Sequence, residues 1–311
     1  MTELVTLFGG GGFVGRYVVQ ALLRRGRRVR VVGRDPRRAF FLKPQGGLGQ
    51  IQFVAADVTR PRSVERAVAG SDAVVNLVGV LFGRFEAIHV EGARNVAEAA
   101  RAAGAQAFVH VSAIGADPGS PSAYGRSKAA GEAAVRDAFD GAAILRPSVV
   151  FGPEDDFVNR FARLIRLAPI VPVLGGGARF QPVYVSDVAQ AAALAATEPQ
   201  RFAGRTFELG GPEIVTMAGL NRRIATMIGA KRGFLELPDA VGEMIAKLGF
   251  LPGAPITTDQ WRMLRRDSIV TEGFDGLAAF GIEPTALDAV APDWLVRYRR
   301  QGRFGAERRA P

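Results

Sequence analysis

Tyr124 and Lys128 place a phenol and an ammonium four residues apart. The surrounding stretch from Ser122 to Val135 is rich in alanine and free of proline, which predicts a helix. Residues at i and i+4 share a helix face, so both side chains can reach one ligand. A free phenol has a pKa near ~10 and a neighbouring cation stabilises its anion, so Lys128 could let Tyr124 pass a proton near neutral pH. The bland alternative for the same spacing is an exposed helix face without chemistry.

What must position this pair begins with a glycine-rich turn. Gly9, Gly12 and Gly15 lie between an apolar run, Leu4 to Phe8, and a helix expected to start near Phe13. Glycine at such places allows a tight turn, close approach of a pyrophosphate to backbone amides, and close packing of helix on strand. Gly9, Gly12, Phe13, Val14 and Gly15 are therefore the candidate phosphate cradle of a dinucleotide. The spacing is G-x-x-G-x-x-G rather than G-x-G-x-x-G, and Gly10 and Gly11 leave the register open. A plain tight turn is the competing reading.

The second expected strand ends at Val32 and is followed by GRDPRR. An acid there pairs with the ribose hydroxyls of NAD, whereas an arginine can grip the 2′-phosphate of NADP. Arg34 comes first, with Arg37 and Arg38 behind it, so NADP(H), and NADPH in particular, is favoured over NAD(H). Asp35 remains able to accept a ribose hydroxyl, and a solvated basic turn is the alternative. Asp57 and Val58 end the third strand where an adenine could rest. Leu77, Val78 and Gly79 end the fourth, and Val111 the fifth, beside the expected cofactor.

Short apolar runs alternate with alanine-rich stretches: Leu4 to Phe8, Arg28 to Val32, Ile51 to Ala55, Ala73 to Leu77, Ala107 to Val111 and Ala143 to Leu145. This rhythm predicts right-handed βαβ units and an α/β fold, a Rossmann-type doubly wound parallel sheet with a smaller, mainly C-terminal second lobe. Residues 1–165 are expected to form the nucleotide-binding domain, with a returning segment at about 181–211 that includes Thr206 to Gly211. Residues 212–311 are expected to form the smaller lobe.

The 311-residue chain has 48% hydrophobic residues, ample for a packed core. It has no cysteine, which excludes disulfides, thiolate metal sites and cysteine-ligated clusters. Two histidines, His89 and His110, are poorly placed to form a metal site together. The start MTELVTLFGG lacks the layout of a signal peptide, and no apolar run approaches the ~20 residues that span a bilayer. The expectation is a cytoplasmic-side protein, peripheral to any membrane it meets. A formal charge of +10 points to anionic partners: nucleotide phosphates, acidic proteins or lipid head groups. Aromatic and basic residues interleave too sparsely for nucleic acid to be an expected partner.

Five elements in order resemble the extended branch of the short-chain dehydrogenase/reductase superfamily: GGGGFVG, YGRSK, LRPSVVFGP, PVYVSDVA and ELGGPE. The resemblance covers about the first 215 residues. It implies that Tyr124 and Lys128 contact the nicotinamide ribose, that Pro147 and Val149 lie near the nicotinamide, and that Asp187 belongs to a structural motif. Active members carry a serine or threonine after the fifth strand, which hydrogen-bonds the reacting oxygen. In FVHVSAIGA that slot falls on Ala113, and Ser112, one residue early, should point away unless the strand bulges. His89 stands where many relatives have asparagine, and a structural role outweighs a catalytic one for either histidine. The stretch before Tyr124 is short for a loop enclosing a sugar nucleotide. Loss of an oxyanion-type donor costs about 3 kcal/mol of transition-state stabilisation, so the site is expected to bind cofactor without useful turnover.

GPEDDFVNRFARL, TTDQWRMLRRD and GIEPTALDAV extend a resemblance, nearly to the end of the chain, to the atypical subgroup that contains the dehydrogenase-like accessory subunit of respiratory complex I. It implies a tightly held NADPH with a structural role, on a peripheral subunit docked at a membrane: the cytoplasmic face of a bacterial inner membrane, or the matrix side in a mitochondrion. Complex I subunits or another membrane-associated assembly are the expected partners. The alternative is an active NADP-dependent reductase, epimerase or dehydratase using Tyr124 and Lys128; an NADP-sensing regulator is a third reading. In the last hundred residues, Val241, Met244, Ile245, Leu248 and Leu251 recur at helical spacing, and core packing is expected ahead of a membrane or partner surface. Arg262, Arg265 and Arg266 follow. Arg297, Arg299, Arg300, Arg303, Arg308 and Arg309 cluster around Trp294 and Tyr298, a composition that suits a solvated tail, an acidic protein surface or anionic lipid.

Overall fold

The computed structural model describes residues 3–249, 256–300 and 302. The chain runs β1 (Leu4–Phe8), α1 (Phe13–Arg24), β2 (Arg28–Gly33), β3 (Ile51–Ala55), α2 (Pro61–Val68), β4 (Ala73–Asn76), α3 (Gly92–Ala102), β5 (Ala107–Val111), α4 (Ala123–Ala138) and β6 (Ala143–Pro147). It continues through β7 (Val150–Phe151), α5 (Phe157–Leu167), β8 (Ile170–Val173), β9 (Arg179–Phe180), β10 (Val183–Tyr184), α6 (Val185–Thr197), α7 (Pro199–Phe202) and β11 (Thr206–Leu209). Last come β12 (Val215–Thr216), α8 (Met217–Met227), β13 (Gly233–Glu236), α9 (Asp239–Lys247), α10 (Thr258–Leu264) and α11 (Leu287–Leu295).

Seven strands pair in the order β11-β6-β5-β4-β1-β2-β3, and every pair is parallel. Parallel strands need helical crossovers, and these bury both faces. On one face Val64, Val96, Ala97 and Val135 from α2, α3 and α4 pack on Phe8, Val74, Phe108 and Ile144. On the other, α1 packs against the alanine-rich α6, whose small side chains let the helices approach closely. Asp187 is buried in the first turn of α6, where a carboxylate suits the positive end of the helix dipole. Sequential order reverses between β1 and β4, so the crevice beyond their carboxyl ends is where such a sheet holds a ligand.

The chain divides into two compact units with boundaries other than the periodicity suggested. The sheet unit comprises residues 1–147, 185–209 and 270–283. Residues 148–165 thus belong to the second unit rather than extending the nucleotide-binding domain. The segment 270–283, expected in the smaller lobe, returns to the sheet. It has no strand pattern to betray it: Glu208 N–H donates to the Asp275 carbonyl at 3.0 Å, and Phe280 stacks on Phe202 with ring centroids 4.4 Å apart.

The second unit, residues 148–184, 210–269 and 284–311, has its own core, in which Val158 and Ile165 of α5, Leu220 and Ile224 of α8 and Leu287 and Leu295 of α11 meet. Three two-stranded ribbons, β7–β10, β9–β12 and β8–β13, surround it. Two expectations change here. Val241, Met244 and Leu248 are not core: they are 38%, 66% and 51% exposed, and α9 packs instead through Ala246 and through Gly242, where an added Cβ would lie 2.4 Å from the Trp261 ring. Of the same stripe Ile245 is half-buried, so the pattern is real but most of the side it marks faces outward; Leu251 lies outside the described residues. Part of the C-terminal arginine cluster is engaged in this unit. Arg297 donates to Asn159 Oδ1 at 2.6 Å, Arg299 to the Met227 carbonyl at 3.0 Å, and Trp294 stacks near Phe151. Arg303, Arg308 and Arg309 are outside the described residues. Among the described residues no helix is long and apolar enough to cross a membrane, and no group of residues could hold a metal ion.

Candidate functional site

Gly9 leaves β1 at φ +82°, a conformation that other residues rarely adopt. Its N–H donates to the Val32 carbonyl at 3.0 Å, and its own carbonyl accepts from Gly12 N–H at 3.0 Å, closing the turn. A Cβ on Gly15 would lie 2.3 Å from the Gly9 oxygen, so helix and turn touch there as backbones. Gly12, the N-cap of α1, is extended and offers no capping side chain, and the first turn of α1 carries no acid. Phe13 and Val14 therefore begin a helix whose amide end is left to an outside acceptor. The glycines and this open helix end fit a dinucleotide pyrophosphate.

At the end of β2 the acid and the arginines differ in how far they are already engaged. Asp35 is committed: it caps the 3-10 turn Pro36–Gln45, accepts from Arg37 Nε at 3.0 Å, and lies 3.9 Å from Arg38. The Arg37 hydrogen bond holds its carboxyl below the usual range. Arg34 is exposed and has no hydrogen-bond or ion-pair partner among the described residues. Asp57 accepts from Thr59 N–H at 3.0 Å, which lowers its pKa, and the charge of Arg34 adds to the effect. Val58 is buried, pressed against Gly92 at the head of α3.

Tyr124 and Lys128 lie on α4 as expected, started by Ser122, whose hydroxyl accepts from Gly125 N–H at 3.3 Å. Lys128 is buried, and its Nζ donates to the Val111 carbonyl at 2.9 Å. Desolvation pulls its pKa down to about 8 against the raising influence of Glu132, one turn on. Tyr124 is half-buried, and desolvation pushes its phenol up to about 12. Burial thus opposes the expected lowering of the phenol toward neutral pH.

His89 occupies a π-helical turn, Glu86–Glu91, and joins the β4 loop to α4. Its Nε2 accepts the Val80 N–H at 2.9 Å, which assigns the proton to Nδ1. Nδ1 then donates to Ser127 Oγ at 2.8 Å, and that hydroxyl donates to the Tyr124 carbonyl at 2.8 Å. A Cβ at Gly131 would sit 2.1 Å from the His89 carbonyl oxygen, so the π turn and α4 are in backbone contact. Burial lowers His89 to about 4, and it is neutral near pH 7. His110, fully buried, is likewise held well below 6.5 by desolvation, with Nδ1 3.3 Å from Asn76 Nδ2. Both histidines are buried, neutral and held by neighbours in the fold.

Leu77 N–H donates to the Phe8 carbonyl at 3.0 Å and Val78 N–H to Asn76 Oδ1 at 3.1 Å, so the loop ending β4 is tied to its strand while Gly79 is exposed. Gly9 and Leu77 face each other across the switch point, with a Gly9 Cβ placed 3.4 Å from Leu77. Pro147 closes β6, its carbonyl accepting from Ile114 N–H at 3.0 Å. Val149 falls in the second unit, packed beside Val173 and Phe180. Beside Ala113, Ser112 Oγ is buried without a hydrogen-bond partner among the described residues, and the Ser112 amide is spent on the Leu145 carbonyl at 2.7 Å.

Sequence reasoning missed a buried ion cluster behind Lys128. Arg146 grips Glu132 through two bonds, of 2.9 and 2.7 Å, and reaches Glu208 Oε1 at 3.4 Å. Glu208 Oε2 accepts the Thr271 N–H at 2.8 Å, tying the returning segment to β11. Glu132 stands four residues after Lys128, and that spacing was the available signal. The three charges have buried hydrogen-bonded partners, the condition under which such a cluster is tolerated.

A glycine cradle at the switch point of a parallel sheet, with Tyr124 and Lys128 on the helix after β5, defines a Rossmann-type nicotinamide-dinucleotide-binding protein. The chain belongs to the NAD dependent epimerase/dehydratase family, whose pattern matches residues 5–210. Over nearly its whole length it is similar to the mitochondrial NADH dehydrogenase [ubiquinone] 1 alpha subcomplex subunit 9 of Mus musculus: 37% identity over 307 residues, 95% of this chain and 80% of that protein. It is also similar to a ceramide reductase of Caulobacter vibrioides, with 36% identity over 248 residues, 76% of this chain and 74% of the other. In fold it resembles an NADPH-dependent quinone oxidoreductase of Escherichia coli complexed with NADPH, with a TM-score of 0.77 and 21% identity over 94% of this chain and 99% of that one.

Proposed function

We propose that this protein is an NADPH-binding accessory subunit of respiratory complex I, peripheral to the membrane, in which the dinucleotide serves structure more than turnover. The observation that carries the reading is the open cradle together with Ala113, which by the resemblance stands where active members carry a hydroxyl. Gly12 leaves the end of α1 uncapped, and burial raises the Tyr124 phenol instead of bringing it toward neutral pH. Similarity to subunit 9 over 95% of the chain supports the assembly.

The cradle residues Gly9, Gly12, Phe13, Val14 and Gly15 would hold the pyrophosphate, Arg34 the 2′-phosphate, and Lys128 and Tyr124 the nicotinamide ribose. Bound NADPH would supply a hydride. Lys128 supplies a cation already bonded to β5, and the His89–Ser127 chain holds α4 against the β4 loop. The site of action is the cytoplasmic side of a bacterial inner membrane, or the matrix side in a mitochondrion.

Similarity to a ceramide reductase favours a second reading, an NADP-dependent reductase, epimerase or dehydratase in which Tyr124 gives or takes the proton. Gentle detergent extraction of the tagged chain, with co-purifying proteins and bound nucleotide identified together, separates the two. Complex I subunits with NADPH are expected. NADPH oxidation by a defined carbonyl compound, abolished in Tyr124→Phe and without complex I subunits, would establish the second reading instead.

A further inference from the structure

The ribbon β8–β13 has two unlike faces. Val171, Val173 and Phe234 point into the core of the second unit, while Ile170 and Leu235, on the alternate positions, are 61% and 55% exposed. The register pairs Pro172 with Leu235 and Ile170 with Gly233, so these side chains share one side of the ribbon. Leu237 N–H still bonds to the Val173 carbonyl, and α9 begins two residues later with its own outward stripe, Val241, Met244 and Leu248. The apolar surface left uncovered thus comes from two consecutive elements.

Charge decides what covers it. The acids of β13 and α9 are already paired: Glu236 with Arg222 at 3.0 Å, Glu243 with Lys247 at 3.2 Å, and Asp239 with Arg265 at 3.8 Å; on α10, Asp259 stands one turn before Arg262. Lys231 and Arg262, both exposed, make no ion pair among the described residues. Arg232 spends its hydrogen bonds on the uncharged carbonyls of Ile165 and Arg166 and keeps its charge. Positive charge is therefore in excess around the apolar side chains. A second copy laid face to face would set cation against cation.

We propose that the outer face of β8–β13 and α9 is a membrane-docking surface, seating Met244, Leu248, Ile170 and Leu235 at the head-group boundary of an anionic bilayer. A fluid interface accepts apolar side chains from separate elements without complementary holes, and each nearby cation strengthens binding about fivefold. The proposal deepens the peripheral-membrane part of the function proposed above and needs neither complex I nor the cofactor.

Its test is co-sedimentation of the full chain with vesicles of phosphatidylcholine, alone or mixed with phosphatidylglycerol. Binding is expected to the anionic vesicles only, and to weaken with salt. The pair Met244→Glu and Leu248→Glu abolishes it, and Lys231→Glu with Arg262→Glu weakens it more than tenfold. Circular dichroism and NADPH binding remain unchanged in both pairs, because these side chains are exposed. If α9 unfolds in the first pair, Ile170→Ser with Leu235→Ser reads the same surface from the ribbon. Absence of binding to anionic vesicles, undiminished binding in the apolar variants, or self-association through these residues in place of vesicle binding would overturn the proposal. Vesicles contain no complex I, so failure here leaves the assembly reading standing, and failure of co-purification leaves this surface standing.

Discussion

Lys128 Nζ donates to the Val111 carbonyl at 2.9 Å, so the buried ammonium is anchored to the end of β5 rather than committed to Tyr124. Burial lowers its pKa from 10.5 to about 8, which means the fold disfavours the charged form. The penalty is complete below pH 8 and is relieved as pH rises toward 10.5, where the unfolded chain binds more protons than the folded one. Stability of the cofactor-free protein should therefore rise across that window. In Lys128→Met the slope should vanish and stability below pH 8 should increase by about 1–3 kcal/mol, while NADPH binding weakens at least tenfold. Urea unfolding at several pH values and a fluorescence titration measure both; a Lys128→Met protein less stable than the parent at pH 7 would refute the account.

His89 makes the same kind of statement on the acid side. Its folded pKa of about 4 lies below the ordinary 6.5, so folding loses stability as pH falls from about 6.5 to about 4 and imidazole must charge to stay in equilibrium with solvent. His110 adds to this slope. His89→Ala orphans the Val80 N–H and should cost about 1–3 kcal/mol at pH 7, with a shallower acid slope. Denaturant midpoints from pH 4 to 7 are the readout, and an unchanged slope would count against a buried neutral imidazole.

Gly15 and Gly33 provide a matched pair. A Cβ at Gly15 would lie 2.3 Å from the Gly9 oxygen, whereas one at Gly33 meets nothing within 4 Å. Gly15→Ala should lose dinucleotide binding and more than about 2 kcal/mol of stability, because backbone must move. Gly33→Ala should stay within about 0.5 kcal/mol of the parent. Thermal melts with and without NADPH distinguish them.

Arg34 should select the phosphate. Asp35 is held by Arg37 and the 3-10 turn, while Arg34 has no hydrogen-bond or ion-pair partner among the described residues. Arg34→Ala should weaken NADPH binding by tenfold or more while changing NADH binding less than about threefold, the signature of a lost charge-assisted contact to a 2′-phosphate. Equal losses for both nucleotides would place the contact elsewhere.

The sequence by itself determined what depends on neighbours along the chain. Alternating apolar and alanine-rich runs specified the strands and crossover helices, since each element's pattern records which side it buries. The glycine turn and the Tyr124–Lys128 spacing were legible for the same reason: a turn and an i, i+4 pair are local. Only the tertiary structure decided matters that depend on distant burial. Residues 270–283 join the sheet unit through a few backbone bonds and Phe280, with no periodicity to announce them. The stripe on α9 has the spacing of a core face, yet Gly242 and Ala246 are the positions that pack, and at Gly242 the ring of Trp261 leaves no room for a side chain. The protonation of Tyr124, Lys128 and His89 followed in the same way, since desolvation is set by everything that surrounds a side chain and spacing along the sequence does not report it.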